Sequence, residues 1–189
     1  SVRFSTNLGA YKYKTSTTFS SGPIDTTAVN NGKIIIENYH GNISIFSNND
    51  DSLLVEAYIE VKNNDSNLAK DYLEKAIKID ARENIKISTQ LPDNRNIICN
   101  PAVNYTIYVP QDVDTFITNV VGNINAQDLL NTLVIDNNNG EIVVSNINGN
   151  VDIKNSLGTV QANNIEGIVS IDNKEGSIMS EVAAIIAEH

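Results

Sequence analysis

Cysteine is nearly absent: Cys99 stands alone, so no internal disulfide framework braces this chain of 189 residues. Cations are scarce too, 13 Lys and Arg against 23 Asp and Glu, for a net charge of −10. No basic cluster interrupts that surplus, which argues against nucleic acid and anionic membrane surfaces as partners. No apolar run reaches the length of a membrane span, so no direct membrane insertion is expected within this chain. Histidine is confined to His40 and the terminal His189, and the latter is given no weight. The length suits one domain, or one elongated domain with an insertion. A first residue Ser1 in place of Met, few cysteines and many Asn, Thr and Ser are compatible with a processed, exported bacterial protein.

What is present in quantity is periodicity. Gly122, Gly140, Gly149, Gly158, Gly167 and Gly176 fall on one nine-residue grid, and Asn131 occupies its one skipped point. Three positions before each grid point stands Asn or Asp: Asn119, Asp128, Asn137, Asn146, Asn155, Asn164 and Asn173. Two positions after it stands a branched aliphatic: Ile124, Leu133, Ile142, Val151, Val160, Val169 and Ile178. Each unit therefore alternates at period two after a turn of Asn and Gly, the pattern of a strand with one face buried. Nine residues leave no room for hairpin loops or crossover helices, so such units coil into stacked parallel strands about 4.8 Å apart.

A second rhythm doubles the first. Leu129, Ile147 and Ile165 alternate with polar Asn138, Ser156 and Lys174, and large Ile135, Ile153 and Ile171 alternate with smaller Ala126, Val144, Ala162 and Ser180. The unit is thus about eighteen residues with two unlike strands, large aliphatics on one wall packing against smaller ones on the other. The expected fold is all-β: a parallel β-solenoid or β-roll-like stack with about eighteen residues per coil, plus one short helix insertion. The Asn column should stack coil on coil, bonding to backbone or to its own neighbours. Calcium-binding nonapeptide repeats pair glycines ahead of an aspartate column; Asp136, Asp152 and Asp172 form no such column, so no metal is expected.

Upstream, Ile34 to Ile45 follows the same grammar and reads as an early coil. Leu53, Val55, Ala57, Ile59 and Val61 share one face of a longer strand. The spacing of Leu68, Ala69, Tyr72, Leu73 and Ala76 predicts a helix over about 66–78, with Ser66 as its cap. Further strands are expected at 84–90 and 104–109, with a turn at Pro92 to Asn94 and a loop around Pro101. The expected layout is one elongated β domain over 1–189. It comprises N-terminal strands or cap (1–32), early coils with the helix (33–118), regular repeats (119–181) and a C-terminal cap or tail (182–189).

Three segments in order resemble the bacterial putative-adhesin (toastrack) domain family. They are Ile34 to Ile45, the strand Tyr105-Thr106-Ile107-Tyr108-Val109 ending at Pro110, and the N-x-x-G-x-φ-x-φ units from Asn119 to Ser180, φ being apolar. The helical segment matches a variable region of the family, and residues 1–32 match poorly. The resemblance implies an all-β stacked fold in bacterial envelope or surface proteins, some tied to envelope-stress signalling, with no catalytic residues and no cofactor.

The residues themselves offer little chemistry. His40 sits in a turn, and Cys99 would become a nucleophile only if the fold brought such a base to it. Glu141, Asp152 and Asp172 are strand-borne carboxylates, but the first two belong to opposite walls and should diverge. Val134 and Ile168 point outward without forming one patch, while Val182 to Ile186 should cap the last coil or contact a second subunit. No catalytic, cofactor-binding or metal residue is therefore assigned. The expected function is a non-catalytic exported scaffold or adhesin of the cell envelope, contacting protein or glycan. The alternatives are a sensory domain of an envelope-stress system and, less favoured, a carbohydrate-active enzyme.

Overall fold

Alternation after each glycine becomes a strand, and successive strands of one wall lie parallel with an offset of eighteen residues. Ile124 pairs with Ile142, Ile142 with Val160 and Val160 with Ile178 on one wall; Leu133, Val151 and Val169 align on the other. The computed structural model describes residues 11–27 and 32–188, with side-chain surroundings through 181. In chain order its elements are β1 (Tyr13–Ser20), β2 (Ile24–Asp25), β3 (Lys33–Glu37), β4 (Ile43–Asn48), β5 (Ser52–Asn63), α1 (Ser66–Lys75), β6 (Ile77–Ala81), β7 (Ile85–Thr89) and β8 (Ile98–Pro110). They continue with β9 (Asp114–Val121), β10 (Ile124–Leu129), β11 (Leu133–Asn139), β12 (Ile142–Ile147), β13 (Val151–Leu157), β14 (Val160–Glu175) and β15 (Ile178–Glu188).

The first wall runs β1-β5-β8-β4-β10-β12-β14 and the second β14-β13-β11-β9-β3-β7-β6, joined because β14 is long enough to serve both. Between them lies one core, in which Ile117, Ile135, Ile153 and Ile171 form a column on the second wall. Ala126, Val144 and Ala162 align opposite them on the first. The size complementarity expected from the doubled rhythm is present. The early coil, however, is not outermost: β4 lies between β8 and β10, and β3 between β7 and β9. After β4 the chain reverses into β5, which skips its neighbour and pairs antiparallel with β8, while β1 adds beyond β5 and β6 closes the other wall antiparallel to β7. Pro101 lies inside β8, not in a loop. Residues 182–188 continue as strand β15, parallel to β14 with two register shifts, so their backbone extends the walls and does not fold across the last coil; residues 1–10 and 28–31 of the expected N-terminal cap, and His189, lie outside the described residues.

The corners explain the eighteen-residue unit. At one, the alternation simply continues inward, placing Asn119, Asn137, Asn155 and Asn173 inside at 2–3% exposure. Asn155 donates to Gly140 O and to Asn173 Oδ1, each at 3.2 Å, and accepts from Asn137 Nδ2 at 3.1 Å. At the other corner Asp128, Asn146 and Asn164 take φ of 63°, 56° and 53°. That left-handed residue shifts the phase, so Leu129, Ile147 and Ile165 enter the core three positions after Ala126, Val144 and Ala162. Asn131 is not left-handed; its amide caps Asp112 O at 2.7 Å. Gly149 has ordinary φ and is required by proximity, since a Cβ there would lie 2.5 Å from Asn131 O.

Helix α1 spans ten residues and ends at Lys75, where the β-branched alternation of Ile77 and Ile79 takes over. Its cap is Asp65, not Ser66: the carboxylate accepts from Asn67 N at 3.0 Å and Leu68 N at 3.1 Å, two donors that a single hydroxyl serves less well. Ala69, Tyr72 and Leu73 form the buried face, and Tyr72 Oη donates to Gln90 O at 2.7 Å. Replacing Asp65 with Ala should lower stability by about 1 kcal/mol, read from the urea midpoint at unchanged slope.

Where the first coils meet, Thr89 Oγ1 donates to Asn38 Oδ1 and lies 2.7 Å from Tyr105 Oη, inside the core. Burial pushes the Tyr105 phenol up to about 12 against the pull of its Thr89 hydrogen bond, and burial likewise raises Tyr72. In the unfolded chain both titrate near 10. The folded pKa is raised, so this contribution to stability is whole below pH about 10 and is lost as pH rises through about 12. Urea unfolding followed from pH 8 to 12 should show that decline, shallower in Tyr105→Phe.

Candidate binding cleft and outward faces

The residues that could have carried catalysis are kept apart. His40 is exposed, its carbonyl accepting from Val103 N at 2.8 Å. Cys99 lies four residues earlier on β8, roughly 13 Å along an extended strand. There it faces Lys62 across the ladder and is half-buried. Glu141 is not strand-borne but stands in the corner just before β12 of the first wall, while Asp152 lies on β13 of the second, so the two exposed carboxylates belong to different walls. Asp172 aligns with Lys154, and Lys154 with Asp136, a row of alternating charge. No group of three or more His, Cys, Asp or Glu is placed to hold a metal ion among the described residues.

Outside the walls, residues at one register form straight rows. Val134, which looked isolated in the sequence, lies beside Phe116, and Phe116 beside Ile35. These three make an apolar row, flanked by Lys33 with its ammonium 4.6 Å from the Phe116 ring centre. On the first wall Leu54, Tyr108 and Phe46 align, the two rings 5.6 Å apart. Period-two alternation alone places Ile35 outward between Ile34 and Ile36; which strand lies next to it is set by pairing that the sequence does not display.

A concave outward region lies at the end of the second wall, a cleft of about 370 Å³. Strand β3 brings Glu37, the following corner brings Tyr39, β6 brings Lys78 and Asp80, and β7 brings Lys86 and Ser88. Gln90 and Leu91 close it and also line a second groove of about 370 Å³, between α1 and the loop Pro92 to Asn94. Lys86 Nζ sits 3.2 Å from Glu37 Oε2, and Arg82 Nε 3.1 Å from Asp80 Oδ1. Lys78 belongs to no ion pair among the described residues. Gln90 Nε2 donates to Ser88 Oγ at 2.9 Å, fixing both polar groups. Tyr39 is 45% exposed at the rim. None of these residues stood out as a site in the sequence, because they come from three strands and a corner joined only by tertiary pairing.

No family model and no curated protein matches the chain. Among solved structures, a putative cell adhesion protein from Clostridium sporogenes is similar over 93% of this chain and 99% of its own, at TM-score 0.52 and 13% identity. That likeness shows a shared fold, in agreement with the fold that the toastrack resemblance implies. A putative adhesin from Bacteroides fragilis also aligns over 93% of this chain and 97% of its own, but at TM-score 0.34 and 12% identity it carries no structural argument. No helix among the described residues is long and apolar enough to cross a membrane.

Proposed function

We propose that this chain is a non-catalytic exported domain that presents a rigid binding surface at the bacterial envelope, in the manner of an adhesin. The observation that carries the reading is the unbroken register of outward side chains: Ser44, Asn125, Val143, Gln161 and Met179 lie in one row across successive parallel strands. Such a surface is fixed by the core beneath it and loses little freedom when a partner settles on it. The fold shared with a protein named for cell adhesion supports the same reading. The test is retention of the labelled whole chain on immobilised bacterial and epithelial cell surfaces. Saturable retention is expected; retention no greater than that of an equally acidic control protein would refute it.

A second reading, a sensory domain that binds another protein of the envelope, is favoured by the apolar row Ile35, Phe116 and Val134. A neighbouring gene for a sensor kinase or a membrane-spanning partner would support it.

A further inference from the structure

We propose that the cleft at the end of the second wall is a saccharide site that takes a carboxylate-bearing sugar. The sugar ring lies on Tyr39 and its carboxylate on Lys78. The inference deepens the binding reading above and rests on it. An exposed aromatic ring at a cleft rim presents a flat apolar face with a polar tip, which suits the C–H face of a pyranose. The floor is polar and already ordered: Glu37 is held by Lys86, and Ser88 by Gln90. Each member of these pairs keeps lone pairs or protons to spare, so each can accept from or donate to a hydroxyl without first being fixed in place. Sugar hydroxyls do both at once. The cleft is lined by two carboxylates and two ammonium groups, but Glu37 is paired with Lys86 and Asp80 with Arg82, which leaves Lys78 to set the sign of the ligand. On a chain of net charge −10, an anion finds few welcoming places, and here the ammonium of Lys78 has no carboxylate partner among the described residues. The groove that continues past Gln90 and Leu91 gives room for more than one ring.

The experiment is titration of the whole chain with trigalacturonate and sialyllactose, and with the neutral cellotriose and lactose, followed by calorimetry or by amide chemical shifts. Acidic sugars are expected to bind, weakening as salt rises from about 50 to about 500 mM. Tyr39→Ala and Lys78→Gln should each reduce affinity about tenfold or more, while Asp152→Asn, exposed and outside the cleft, should change nothing. All three positions are exposed, so unchanged melting temperatures will confirm that the fold is intact. Equal binding of neutral and acidic sugars, indifference to Lys78→Gln, or no binding of any of the four would overturn the proposal. Cell-surface retention separates the two failures: if it persists while the cleft variants have no effect, the cleft assignment fails and the adhesive reading stands; if retention too is absent, the adhesive reading fails.

Discussion

Gly140→Ala should cost about 3–5 kcal/mol, enough to unfold much of a chain of ordinary stability. Two penalties combine. Gly140 has φ +147°, a conformation that costs an L side chain on the order of 1–3 kcal/mol. A Cβ at this position would also lie 2.0 Å from Gly122 O and 2.6 Å from Gly122 C, both backbone atoms of the preceding coil. Backbone cannot swing aside as a flexible side chain can, so the coils must part, and parting them loosens the hydrogen bond from Gly122 N to Asn139 O. Gly149→Ala isolates the steric part: its φ is ordinary and the nearest contact is 2.5 Å, so the loss should be clearly smaller. Urea unfolding of the two variants side by side checks this. Equal and small losses would mean that the coils are not packed as described.

Asn155→Asp should be the most damaging change that leaves shape untouched, about 3–5 kcal/mol at neutral pH. The replacement keeps an acceptor for Asn137 Nδ2 but sets oxygen against oxygen at both Gly140 O and Asn173 Oδ1, in a site only 3% exposed. Burial and the two acceptors raise the new carboxyl's folded pKa above its unfolded value near 3.9. The sign is therefore opposite to that of a surface aspartate: the variant keeps its stability below pH about 4 and loses it as pH rises. Asn155→Leu should lose stability independently of pH. The equivalent change at Asn146 loses the bond from its Nδ2 to Asp128 Oδ1 at 3.1 Å and sets two carboxylates together, yet should cost less than about 1 kcal/mol because the site is exposed and water screens the repulsion. Circular dichroism melts at pH 3.5 and pH 7 distinguish the three variants.

Both predictions arise where sequence and structure parted company. In the sequence Asp128, Asn137, Asn146 and Asn155 are one column at nine-residue spacing. In the fold every second member turns inward as a buried hydrogen-bonding rung, and the others turn outward in left-handed conformation. The hint was there, since Leu129, Ile147 and Ile165 follow only the outward members, yet spacing alone does not say which way an amide faces. The glycines show the same division: Gly140 is needed for its backbone angle, Gly149 for the nearness of another coil.

The sequence by itself determined the parallel stack, its eighteen-residue coil, the unequal walls and the short helix, because period-two alternation and a fixed turn chemistry are local and repeat seven times. It also determined that Glu141 and Asp152 belong to different walls. Only the tertiary structure decided that the early coil is threaded between later ones, that Ile35, Phe116 and Val134 share one outward row, and that Tyr39, Lys78 and Lys86 line one cleft. These depend on which strands pair across long separations. The hydrogen bonds of a β-ladder are the same whichever sequences supply them, so partner choice is settled by the packing of the whole core and not by any short stretch of chain.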